Sequence, residues 1–126
     1  MTSSRLPGKV LLRVKKKSFL EYLIERLKKI KELDEIILCT TRNSTDDVLV
    51  KRAKELNIKF FRGSENNVLS RVVSAVKKYK ADVVVQITAD CPIIDYKIVK
   101  QAIRIFKTKK YDCVSNSFIR SFPDGM

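Results

Sequence analysis

The segment Asp82-Val83-Val84-Val85-Gln86-Ile87-Thr88 constrains the fold of this chain more than any other. It is short, continuously apolar and β-branched, as a central strand of a parallel sheet should be. Such a strand must be covered by helices, and the flanking sequence carries helical periodicity. Ser18-x-x-Glu21 has the form of a capping box, and Leu20, Leu23, Ile24, Leu27 and Ile30 follow at helical spacing. Glu35-Ile36-Ile37-Leu38-Cys39-Thr40-Thr41 reads as a second buried strand. Ser44 is the expected cap of a helix with Leu49, Ala53 and Leu56 inward and Asn57 as its stop. Lys59-Phe60-Phe61-Arg62 reads as a strand ending at Gly63, and a helix with Val68, Leu69, Val72, Val73 and Val76 follows from Asn67 to Tyr79. Asp95 is the expected cap of a last helix holding Ile98, Val99, Ala102, Ile103 and Phe106, and Asp112–Asn116 closes the pattern as a strand. Helices alternating with continuous strands predict an α/β domain with a mainly parallel sheet.

Ligands of such sheets bind beyond the carboxyl ends of the strands. Polar groups stand at those places: Thr40 and Thr41, Gly63 to Asn67, Thr88 to Pro92, and Ser115 with Asn116. The opening stretch Thr2-Ser3-Ser4-Arg5-Leu6-Pro7-Gly8-Lys9 would join them if a strand preceded it. It offers hydroxyl and backbone N–H donors, a guanidinium fork and a point charge, which suits a polyanion such as a nucleoside triphosphate. It is not a Walker loop, because the G-x-x-x-x-G-K-[ST] spacing is absent.

Composition narrows the chemistry. The chain has no histidine, which removes Ser-His-Asp and Cys-His catalysis and most zinc chemistry. Carboxylates, cations and hydroxyls remain, a set suited to magnesium-assisted chemistry on phosphates. Asp90 is the best single candidate: it follows the strand, and Cys91-Pro92 turns the chain so that its carboxylate can face Arg5 and Lys9 across a triphosphate. The alternative is that Asp90 is an ordinary loop residue ahead of a helix. Cys39, Cys91 and Cys113 form no C-x-x-C pair, so neither a disulfide framework nor a zinc site is expected, and Cys91 lacks a histidine to activate it. Tyr22, Tyr79, Tyr96 and Tyr111 are read as packing residues at element borders.

The formal charge of +13 raises nucleic-acid binding. However, the lysines, Lys15–Lys17 and Lys107 to Lys110 among them, cluster at the ends or polar faces of predicted helices without interleaved aromatic residues, so a solvated surface is the preferred reading. No apolar run has the length of a membrane span and no signal peptide opens the chain, so a cytoplasmic protein with no membrane partner is expected.

Four ordered blocks carry a family resemblance: Ser3-Ser4-Arg5-Leu6-Pro7-Gly8-Lys9; Phe61-Arg62-Gly63-Ser64-Glu65-x-x-Val68-Leu69-x-Arg71; Thr88-x-Asp90-Cys91-Pro92-Ile93-Ile94-Asp95; and Phe122-Pro123-Asp124-Gly125. Together they resemble the cytidylyltransferases, nearest the spore coat polysaccharide biosynthesis protein F type, with CMP-Kdo and CMP-sialate synthetases more distant. The resemblance implies a Rossmann-like nucleotidyltransferase fold, a GT-A-like three-layer sandwich, in which a sugar hydroxyl attacks the α-phosphate of CTP and pyrophosphate leaves. By matching position, Arg5, Lys9 and Asp90 would be the catalytic residues. Ser3, Ser4, Arg5, Lys9 and Arg71 would bind the nucleotide, Asp90 would hold Mg2+, and Asp124 and Gly125 would begin the segment facing the sugar.

The chain departs from that family at Ala89, where glycine is usual, and at Asn67, where an acidic residue is common. Members also begin with an apolar strand ending Gln-Ala-Arg-Met, whose methionine Met1 matches, and continue into a part that supplies a second metal carboxylate. Residues 1–126 are therefore expected to be a single nucleotide-binding domain, the N-terminal part of a cytidylyltransferase, lacking its first strand and C-terminal half. Poor turnover and a homodimer or self-association through an exposed sheet edge are expected to follow. The rival reading is a non-catalytic nucleotide- or partner-binding fragment of the same fold.

Overall fold

The computed structural model describes residue 6 and residues 8–117. In chain order the elements are β1 (Arg13–Val14), β2 (Lys17–Ser18), α1 (Phe19–Leu27), β3 (Ile37–Thr41), α2 (Asp47–Glu55), β4 (Lys59–Gly63), α3 (Val68–Tyr79) and α4 (Tyr96–Phe106), with 3-10 turns at Lys9–Leu11 and Ser44–Asp46. They fall into two compact units. One is built from Glu35–Gln86, the other from Lys9–Asp34 and the chain from Ile87 onward. Among the described residues no helix is long and apolar enough to cross a membrane.

In the Glu35–Gln86 unit, β3 and β4 pair in parallel, with Ile37 opposite Lys59 and Thr41 opposite Gly63. The crossover is α2. It starts later than the sequence suggests, because a 3-10 turn takes up Ser44–Asp46: Asn43 caps that turn by accepting from the Thr45 N–H at 3.1 Å, and Asp46 stands at the N-cap of α2 without a side-chain cap bond. Asn57 ends the crossover helix as expected, with φ of 52° in the left-handed region that asparagine tolerates. Side chains alternate along β4. Phe60 lies under Lys54 of α2, whereas Phe61 lies under Lys78 of α3 and the α-carbon of Gly63 faces Arg71. The two helices therefore cover opposite faces of the sheet, which is the three-layer arrangement.

The strand expected at 82–88 is not formed. No strand pairs with it among the described residues, and Val83, Val84 and Val85 are 51%, 48% and 37% exposed. β-branched composition supplies a preference for extended backbone, but a strand exists only when a neighbour takes its N–H and C=O groups. The segment 112–116 likewise forms no strand among the described residues. The inward face expected for α3 is only partly realised: Ala75 is buried, but Leu69 is 70% exposed, and Val68 and Val73 are exposed too.

In the other unit the capping box forms as predicted. Glu21 Oε2 accepts from the Ser18 N–H at 2.7 Å and from its hydroxyl at 2.6 Å, and the Ser18 oxygen accepts from the Glu21 N–H at 3.3 Å. Leu20, Leu23, Ile24, Leu27 and Ile30 are all buried, as are Ile94, Val99 and Ile103 around α4. Lys15–Lys17 do not sit at a helix end. Lys15 and Lys16 form the two-residue turn of the β1–β2 hairpin, with Lys15 at φ 57°. Arg13 secures that turn by donating to the Lys16 carbonyl at 2.8 Å.

Candidate functional site

Asp90 owes its position to a loop fixed at both ends. The Cys91 N–H donates to the Thr88 carbonyl at 3.4 Å, and the Ile94 N–H to the Cys91 carbonyl at 3.3 Å. The Thr88 hydroxyl and the Cys91 thiol lie 3.0 Å apart. Arg26 on α1 donates to the Ile94 carbonyl at 3.2 Å, and Asp95 caps α4 by accepting from the Lys97 N–H at 2.8 Å. None of these contacts uses the Asp90 carboxylate, so the turn is held while that group is left for other partners.

Lys9 reaches that carboxylate across 81 positions of sequence and forms an ion pair with Asp90 Oδ2. Gly8 precedes it with φ of 69°, a conformation that glycine adopts without cost. The 3-10 turn that follows, closed by the Leu12 N–H on the Lys9 carbonyl at 3.1 Å, packs on α1 and fixes the base of the lysine. The Lys9 ammonium is the main cause holding the Asp90 carboxyl below its usual range. The Thr88 hydroxyl adds to that effect, and partial burial works against it.

Arg71 belongs to the other unit. It stands on the first turns of α3 beside the carboxyl end of β4, where Asn67 caps the helix by accepting from the Ser70 N–H at 2.8 Å. One Nη donates to the Ser64 carbonyl, while the buried Nε has no partner among the described residues. Gly63 is what lets the arginine stem approach the sheet, since a Cβ there would stand 2.8 Å from Arg71 Cγ.

The structure thus brings Lys9 and Asp90 together, as the sequence proposed, and places Arg71 at a strand end. Ser3, Ser4, Arg5, Asp124 and Gly125 lie outside the described residues. Thr40 and Thr41 are not available to a ligand. Both hydroxyls donate to Asp46 Oδ2, at 2.6 and 2.7 Å, and the Thr41 N–H donates to it at 3.0 Å. Burial alone would raise the Asp46 carboxyl, but hydrogen bonds, those of Thr40 and Thr41 among them, outweigh it and hold it well below the carboxylate range. Arg62 completes the network, donating to the Thr41 carbonyl at 2.9 Å, the Asn43 carbonyl at 2.7 Å and Asp47 Oδ1 at 2.6 Å. Asp46 was missed by sequence reading, although an aspartate just beyond a strand ending Thr-Thr is a usable signal. Thr88 was quoted without a role, and its spacing two residues before Asp90 is what lets its hydroxyl support that carboxylate.

Among the described residues no group of three His, Cys, Asp or Glu side chains could hold a metal ion. A lone carboxylate beside a phosphate-sized polyanion still fits Mg2+, which keeps several waters and takes one or two carboxylates together with phosphate oxygens. Calcium or zinc would require more protein ligands than are present.

Comparison with known proteins places these residues in context. A sequence profile described as Cytidylyltransferase matches residues 1–122. An uncharacterised protein of Methanocaldococcus jannaschii is 40% identical over 117 residues, covering 93% of this chain and 48% of that protein. The spore coat polysaccharide biosynthesis protein SpsF of Bacillus subtilis is 34% identical over 99 residues, covering 75% of this chain and 41% of its own length. A cytidylyltransferase structure from Leptospira borgpetersenii superposes with a TM-score of 0.81 at 36% identity, over 86% of this chain and 45% of that one. CMP:2-keto-3-deoxy-manno-octonic acid synthetase, solved with CTP, shares the fold with a TM-score of 0.72 at 22% identity, over 84% of this chain and 43% of that one. The chain spans about half the length of the curated relatives it matches.

Proposed function

The chain belongs to the cytidylyltransferase family, and from that premise we propose that it serves the transfer of CMP from CTP to a sugar hydroxyl in activated-sugar synthesis for surface polysaccharide. The observation that carries this reading is the meeting of Lys9 and Asp90, a cation suited to phosphate and a carboxylate suited to metal, from two separately fixed turns. The relative from Bacillus subtilis, a spore coat polysaccharide biosynthesis protein, supports the polysaccharide role. The synthetase solved with CTP supports the choice of nucleotide.

In the proposed reaction the sugar hydroxyl oxygen forms a bond to the α-phosphorus of CTP. The bond from that phosphorus to the bridging oxygen breaks, pyrophosphate departs with the bond's electron pair, and the hydroxyl proton passes to solvent. Lys9 would hold non-bridging oxygens of the triphosphate as a point charge on a flexible stem. Arg71 would bind the nucleotide by its match to the family pattern. Asp90 would hold Mg2+, which supplies neutralisation of the charge gathering on the departing pyrophosphate. Thr88 keeps the Asp90 carboxylate oriented and ionised.

Replacing Lys9 by Ala removes a charge-assisted contact worth about 1.5–3 kcal/mol, so affinity for CTP with magnesium should fall roughly tenfold to hundredfold. Calorimetry that finds undiminished CTP binding by this variant refutes the site. A second reading, a nucleotide- or partner-binding module without turnover, is favoured by the unpaired and exposed Val83–Val85 stretch. A protein that binds CTP yet releases no pyrophosphate with any sugar acid offered would select it.

A further inference from the structure

We propose that the Lys9–Asp90 ion pair is a latch that magnesium and the triphosphate open together. The inference rests on the reading of the site given above. Lys9 Nζ sits on the Asp90 oxygen that a metal ion would take, and the same bond holds the lysine away from a phosphate. Each partner is therefore occupied by the other until a ligand displaces it.

Three features make the pair a latch rather than a fixed strut. The two side chains are 37% and 36% exposed, so their attraction is solvent-screened and weak. The backbone on both sides is fixed, by the Arg26 and Asp95 contacts on one and by the Lys9–Leu11 turn on the other. The lysine can thus leave by rotating its own stem, without moving the fold. Among the described residues Asp90 belongs to no group of three or more acid, thiol or imidazole side chains that could hold a metal while Lys9 remains in place. Magnesium and Lys9 therefore compete for one carboxylate, and the triphosphate and Asp90 compete for one ammonium. Each ligand alone pays for opening the pair, and the second finds it already open. That coupling is reciprocal by linkage, and an exposed pair of this kind supports up to about fivefold in each affinity.

The test uses the whole chain, with magnesium chloride alone and CTP alone as probes. In a lysine side-chain 1H–15N spectrum, the Lys9 ammonium signal should be protected in metal-free protein, absent in Asp90→Asn, and lost progressively as magnesium is added without nucleotide. Lys9→Met should bind magnesium roughly two- to fivefold more tightly than the wild type. Lys107→Met, which removes the same charge at an exposed position after α4, should not. Asp90→Asn should bind metal-free CTP more tightly than the wild type. A Lys9 signal that survives magnesium sufficient to shift the Asp90 carboxyl carbon overturns the latch. So does magnesium that never shifts that carbon, or a Lys9→Met affinity equal to that of Lys107→Met. If CTP with magnesium fails to bind the wild type, the nucleotide reading falls, while the metal titration still judges the latch by itself.

Discussion

Gly63→Ala tests how the sheet end and the arginine of α3 depend on each other. An added Cβ would stand 2.8 Å from Arg71 Cγ, 3.0 Å from Phe61 Cε1 and 3.2 Å from Arg71 Cβ. Carbon pairs prefer about 3.5–4.0 Å, so all three contacts are too short. The helix cannot simply back away, because the Tyr79 hydroxyl at its end donates to the Phe60 carbonyl of β4 at 2.7 Å. Overpacking of this kind costs about 1–3 kcal/mol. Reduced freedom of the unfolded chain returns about 0.4–1 kcal/mol of that, leaving a net loss of about 1.3 kcal/mol at the middle of both ranges. With a urea dependence of about 2 kcal/mol per molar, the unfolding midpoint should fall by roughly 0.6 M. Arg71→Ala removes the Cγ atom responsible for the shortest contact. The double variant should therefore lose less stability than the two single changes summed, by about 0.5 kcal/mol or more. CTP affinity should also drop in Gly63→Ala, since any relief of the clash moves the arginine stem. An unchanged urea midpoint, or strict additivity with Arg71→Ala, would refute the steric argument.

Replacing Asp46 by Ala leaves the buried Thr40 hydroxyl, the half-buried Thr41 hydroxyl and the Thr41 N–H without their shared acceptor, and should cost about 2–4 kcal/mol by urea unfolding. Because the folded carboxyl of Asp46 titrates below its unfolded value of about 3.9, its contribution is present in full above that pH and is lost as pH falls further. Asp46→Asn should flatten the decline of stability below about pH 4, as followed by circular dichroism. Ser18→Ala breaks both arms of the capping box and should destabilise the chain by about 0.5–2 kcal/mol, with Ser18→Gly closer to the wild type. Burial pushes the Cys39 thiol up while Cys113 is exposed, so iodoacetamide at mildly alkaline pH should label Cys113 first and Cys39 last, read by peptide mass spectrometry.

What the sequence determined by itself is local. The capping box at Ser18 and Glu21, the apolar stripe of α1, the Asn57 stop and the Asp95 cap all rest on neighbours within about five residues, and each forms as read. Short-range pattern also marked Asp90 as a residue held at a turn and ahead of a capped helix. Pairing was beyond its reach. Val83-Val84-Val85 carries the strongest strand preference in the chain and stays unpaired, because a ladder requires hydrogen bonds from residues that local preference does not specify. The commitment of Thr40 and Thr41 to Asp46 likewise appears only once α2 has folded back against β3. The ion pair of Lys9 and Asp90, 81 positions apart, is the clearest case. Composition supplied a cation and a carboxylate, but only the packing of the opening turn on α1 and the anchoring of the Asp90 loop through Arg26 put their charges in contact, because Coulomb attraction between exposed groups is too weak to assemble the chain around them.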